Sequence, residues 1–94
     1  MPAGVLTLSG TFLAGHRDEV LGLLRHVEAS ERRRHPLKRI MRVDEDAGGM
    51  HVATTDMHFA RRLGNAVHAA WAGTLEGGYP AQASLLRLHW HRDD

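Results

Sequence analysis

The chain has no cysteine among its 94 residues. Within these residues that excludes disulfides, thiolate zinc sites and a thiol nucleophile. Aromatic residues are scarce, at 5%, so a row of stacking rings for nucleic-acid bases is not available. No apolar run approaches the ~18–20 residues that a membrane-spanning helix needs. No basic segment followed by an apolar stretch opens the chain, so secretion is not indicated and a cytoplasmic location is expected. No excess of one charge is present either: 12 basic and 11 acidic residues leave a formal net charge of +1. A polyanionic partner is therefore not demanded by net charge, and only local clustering could supply one.

What is present fits one small globular domain over residues 1–94. A chain of this length buries about 60–65% of its unfolded surface, enough for one modest core. VLTLSG, residues 5–10, is rich in β-branched residues and leucine and ends in glycine, as a strand does. In HRDEVLGLLRHVEASERRRH, Val20, Leu23, Leu24 and Val27 recur at helical spacing. Asp18 and Glu19 then fall in the first turn and Arg32, Arg33 and Arg34 in the last, which suits the helix dipole, and Pro36 stops the helix. LKRIMRV and MHVATT flank the polar turn DEDAGG and read as a β-hairpin. TTDMHFARRLGNAVHAAW reads as a second helix, capped by Thr55 or Asp56, with Phe59, Leu63, Val67, Ala70 and Trp71 as its apolar stripe and Gly73 at its end. TLEGGYPAQA has room for a short edge strand, and SLLRLHWH is the last strand, with Leu86, Leu88 and Trp90 on its core side.

This order predicts an α+β fold of the ferredoxin-like, split β-α-β kind: an antiparallel sheet with both helices on one face. The open face would then show Val5, Thr7 and Ser9; Lys38, Ile40 and Arg42; His51, Ala53 and Thr55; and Leu85, Arg87, His89 and His91. It could be solvated, pair with a second copy, or meet RNA.

Four groups of residues carry chemistry. His89 and His91, two apart on a strand, point the same way about 6–7 Å apart and could supply two ligands to a metal ion. His51 shares their face, but in the usual ferredoxin-like order the first strand separates it from them by about 9–10 Å, so no third ligand is at hand. GTFLAGHR, residues 10–17, has glycines spaced as in a phosphate-binding loop but His16 and Arg17 where lysine and a hydroxyl belong; at most it would hold an isolated anion with help from Arg17. Asp44, Glu45 and Asp46 could hold a cation, but a hairpin turn accounts for them. Arg33, Arg34, Lys38 and Arg39, joined by Arg61 and Arg62, could contact phosphates, although such runs are usually solvated faces that complement a helix C-terminus and the flanking acids Glu28, Glu31, Asp44, Glu45 and Asp46 dilute this one. No serine sits in a nucleophile elbow; Asp56 and His58 form the one acid–base pair in reach, with no third group converging. The residues favour a binding role over an enzyme, and no cofactor is called for.

MPAGVLTLSGTFLAGHRDEVLGLLR, HPLKRIM, VATTDMHFARRLGNAVHAAWAG and LLRLHWHR together resemble a family of small bacterial proteins without an assigned activity. In that family a similar domain follows a cysteine-bearing zinc ribbon, and the family is distantly similar to the zinc-ribbon adaptor for nuclear export of the large ribosomal subunit. The most specific stretch is carried by Thr54, Thr55, Asp56, His58, Ala60, Arg61, Arg62 and Gly64. The resemblance implies an RNA- or ribosome-associated accessory domain. The cysteine-free sequence departs from that family: either the ribbon is lost in this member or it lies outside these residues, and a role that needs zinc is not implied for them.

Overall fold

The computed structural model describes residues 2–78 and 85–94. The strands are β1 (Gly4–Ser9), β2 (Ile40–Asp46), β3 (Gly49–Thr54), β4 (Thr74–Gly78) and β5 (Leu86–His91); the helices are α1 (Thr11–Arg32) and α2 (Met57–Trp71). Five strands form one sheet in the order β2-β3-β1-β5-β4. The expected antiparallel sheet is corrected to a mixed one. β4 lies at the edge, as the turn-rich segment allowed, and β5 returns antiparallel to it, which places β5 between β4 and β1 and parallel to β1. The chain reverses once more after α2 than a four-strand count requires, and the extra reversal turns the last strand over. Residues 79–83 of TLEGGYPAQA lie outside the described residues.

Alternation decides the two faces. Leu6, Leu8, Met50, Val52, Leu86, Leu88 and Trp90 turn to the helices, where Phe12, Val20, Leu24, Phe59, Leu63 and Val67 join them in one buried core. The helical side chains come from both α1 and α2, so both helices cover the same face. Gly64 lets α2 settle close to the sheet: a Cβ there would stand 3.2 Å from Leu75 and 3.5 Å from Leu6 and Leu88. Of the expected stripe on α2, Ala70 is exposed and Trp71 half-buried, while Ala60 and Gly64 complete the buried face. Asp56 is the N-cap, accepting from Phe59 N–H at 2.9 Å.

Two other expectations change. α1 begins at Thr11, seven residues before Asp18, and has non-helical dihedrals at His16. The stretch read as a loop is therefore the helix's first turn, and Asp18 and Glu19 follow the kink. On β2 the register slips between Ile40 and Arg42. This bulge leaves Met41 unpaired and turns Ile40 into the core while Arg42 stays on the open face. Lys38 precedes the strand and faces the helices instead.

Candidate functional site

The six cations proposed for phosphate contact gather where α1 ends, in the turn that follows, and in the first turns of α2. Lys38, Arg61 and Arg62 line one cleft of about 570 Å³ together with His58 and Asn65. At its floor lies Glu31, a nearly buried carboxylate. Arg62 Nε stands 3.1 Å from it and Lys38 Nζ 3.8 Å, and Lys38 also lies 3.5 Å from Asp56. Arg33, Arg34 and Arg39 are exposed, at the end of α1 and in the turn that follows it.

Ion pairing sorts the remaining basic residues. Arg17 pairs with Glu45 and Asp18, Arg25 with Glu28, Arg42 with Asp44 and Arg92 with Asp94. Among the described residues no carboxylate pairs with Arg32, Arg33, Arg34, Arg39, Arg61 or Arg87. All of these except Arg87 belong to the α1 C-terminus, the turn after it or the start of α2. The balanced net charge thus conceals an end of the molecule with surplus positive charge.

The open sheet face carries a second constellation. Thr7 pairs with His51 on one side and His89 on the other, so β1 does separate the two histidines. Thr7 Oγ1 lies 3.2 Å from His51 Nδ1, and His51 Nε2 lies 3.1 Å from Asp46 Oδ1. Ser9 stands directly opposite His91. Its hydroxyl is 2.7 Å from His89 Nε2 and 2.7 Å from His91 Nδ1. His91 Nε2 continues to Asp93 Oδ2 at 3.0 Å, and Asp93 Oδ1 accepts from the Thr11 N–H at 3.0 Å. The two imidazoles proposed as metal ligands thus converge on the serine hydroxyl, their ring centres 6.2 Å apart. Among the described residues no group of three or more histidines and carboxylates is gathered as a metal ion would require.

The charges here have local causes. The Thr11 N–H, and after it His91, hold the Asp93 carboxyl below its usual range. His51 and the Gly48 N–H do the same for Asp46. The Arg17 guanidinium, donating two hydrogen bonds of 2.6 Å, lowers Glu45. The contacts of these and other acidic residues answer three sequence proposals. Asp44, Glu45 and Asp46 each face a different partner, and no shared cation site results. The place that GTFLAGHR could have offered an isolated anion is taken by the chain's own Asp93; Phe12 N–H is likewise taken, by Arg92 O at 3.2 Å. Asp56 serves as a cap and an ion-pair partner of Lys38, not as a base for His58.

Sequence reasoning missed the roles of Ser9 and Asp93. The signal was there in HWHRD: Asp93 continues the same two-residue alternation that aligns His89 and His91. Among known proteins, no family model, no curated protein and no solved structure matches this chain.

Proposed function

We propose that this domain is an RNA-binding interaction module that contacts phosphates with the cationic end of its helical layer. The observation that carries this reading is the sorting of ion pairs: carboxylates occupy most other cations, while Arg33, Arg34, Arg39 and Arg61 are left unpaired at the end of α1, in the turn after it and at the start of α2, the segments that also supply the cleft of Lys38 and Arg62. Phosphates bound by these four arginines would displace counterions rather than a paired carboxylate, whereas at Lys38 and Arg62 they would compete with Glu31. Aromatic scarcity makes the contact one of charge, tolerant of sequence. A ribosome-associated role is the form that the family resemblance gives to this reading, and a cytoplasmic location accompanies it. We read β1 to β4 with the two helices as a ferredoxin-like split β-α-β unit into which β5 is inserted.

Dimerisation through the open sheet and metal binding by His89 and His91 are the other readings. The face sets Val5 and Ala53 among Thr7, Ser9, His51, Arg87 and His89, a mixed surface that suits hydration better than a stable dimer. Titration of a labelled single-stranded RNA at low and moderate salt tests the RNA reading. Binding at low salt is expected, with a log–log salt slope of about −0.7 per phosphate contact. Arg39→Glu combined with Arg61→Glu should abolish most of it. Failure to bind at low salt would overturn the proposal.

A further inference from the structure

We propose that Ser9 is the nucleophile of an acyl-transfer site for small carboxylic esters, with His91 as its base, Asp93 as the residue that positions His91, and His89 as a hydrogen-bond donor beside the reacting oxygen. The inference stands apart from the RNA reading, because the site lies at the other end of α1.

The backbone builds the site. Ser9 is the last residue of β1, and the parallel register sets it opposite His91. The pleat puts His89 on the same face, two residues back. β5 then runs on by two residues, zipped by Arg92 N–H to Ser9 O and Phe12 N–H to Arg92 O, both 3.2 Å, so that Asp93 reaches the start of α1. Gly10 allows the close approach: at φ 108° it brings the chain to where a Cβ would stand 2.0 Å from Arg92 O. The result lies outside the carboxyl ends of two parallel strands, where open sheets bearing helices commonly bind ligands. A depression of about 560 Å³ adjoins it, with Leu13 and Ala14 on its wall.

Hydrogen-bond logic gives the chain a direction. Ionised Asp93 only accepts, so His91 carries its proton on Nε2, 3.0 Å away. In the neutral imidazole Nδ1 is then a lone pair, and the Ser9 hydroxyl donates to it at 2.7 Å. His89 Nε2–H donates to Ser9 Oγ at 2.7 Å. Asp93 is itself fixed by the Thr11 N–H. Hydroxyl, base and orienting carboxylate stand in the relation that nucleophilic catalysis needs. In the step, Ser9 Oγ bonds to the acyl carbon while its proton passes to His91 Nδ1. The oxyanion collapses with cleavage of the C–O bond to the alcohol, and His91 returns the proton to the departing oxygen. Water then repeats the sequence, leaving a carboxylic acid and free Ser9.

p-Nitrophenyl acetate and a fluorophosphonate probe test the site on the intact chain. Intact-mass analysis is expected to find one probe adduct, and fragmentation to place it on Ser9. Ser9→Ala should lose the adduct and at least about tenfold of the ester hydrolysis. Asp93→Asn keeps a cap for Thr11 but frees the tautomer of His91; its rate should fall, with a changed pH profile. Ester hydrolysis by Ser9→Ala at the wild-type rate would assign the reaction to free imidazoles and overturn the proposal, as would an adduct elsewhere or none. Ser9→Cys is a second route that does not depend on the alanine variant folding, because it installs the chain's one thiol. Iodoacetamide should alkylate it faster than free cysteine at neutral pH, and His91→Gln should remove that advantage. A thiol of ordinary reactivity would likewise overturn the assignment.

Discussion

Trp90 has no exposed surface, and its indole Nε1–H donates to Ala72 O at 2.7 Å. Its ring meets Phe12 edge-on, 6.1 Å between centres, and Phe12 in turn stacks on His16 at 3.9 Å and carries the Arg92 guanidinium 4.1 Å above its face. One side chain thus ties β5, the end of α2 and the start of α1 together. Trp90→Phe keeps an aromatic but removes the donor and leaves a void, at an expected cost of about 1–3 kcal/mol. Urea unfolding should show a lower midpoint with an unchanged slope. A loss below the error of the fit would mean that the core closes over the gap. The burial of Trp90 was legible, because apolar and polar residues alternate strictly in LRLHWH. Its hydrogen bond was not, since nothing local says that Ala72, eighteen positions earlier, ends a helix beside it.

At the scale of elements, Glu31 is the instructive residue. It sits at the end of α1, its carboxylate nearly out of solvent, with Arg62 at 3.1 Å, Lys38 at 3.8 Å and His35 at 3.9 Å. The sequence shows a basic run diluted by acids, but not which acid lies under which cation. That depends on α2 packing beside α1, a contact between residues thirty positions apart. Glu31→Gln keeps the shape and removes the charge. If the cleft contacts phosphates, the change should tighten RNA binding at low salt roughly three- to tenfold and steepen the salt slope. Unchanged or weaker binding would mean that Glu31 holds the cations in place rather than competing for them. The same dependence on distant partners explains the other differences. A bulge at Met41 and a helix starting at Thr11 are both set by tertiary contact: the first lets Ile40 reach the core, the second is capped by Asp93 from the far end of the chain. Residue pattern located both helices and four of the strands, left β4 as room in a turn-rich segment, and read Asp44 to Asp46 as turn where they extend β2. It could not order the strands, and so it missed the parallel β1–β5 pair that creates the Ser9 site.

Across the whole molecule, two kinds of chemistry are separated by the length of α1, 22 residues or about 33 Å if straight. Surplus cations occupy one end. At the other, three carboxylates are held below their usual ranges: Glu45 by Arg17, Asp46 by His51 and the Gly48 N–H, and Asp93 by Thr11 N–H and His91. This asymmetry dictates how acid should act. A depressed folded pKa means that the unfolded chain binds the proton more readily, so stability falls as protons are added. The contribution is complete above the ordinary values, 4.5 for Glu45 and 3.8 for Asp46 and Asp93, and is lost as pH falls through the lower values of the folded state. All three groups are solvent-exposed, so salt should weaken the effect. Acid should open the molecule from the Ser9 end first, because that is where the paired carboxylates tie α1, the hairpin turn and the tail together. Hydrogen exchange followed from pH 5 down to pH 3 checks this, after correction for the intrinsic rate. The Thr11 and Gly48 amides, which donate to Asp93 and Asp46, should lose protection before those of the core strands. Asp93→Asn should remove the early loss at Thr11 while leaving that at Gly48. Simultaneous loss across the sheet would instead show that the carboxylates couple to global unfolding and that the Ser9 end is no weaker than the rest.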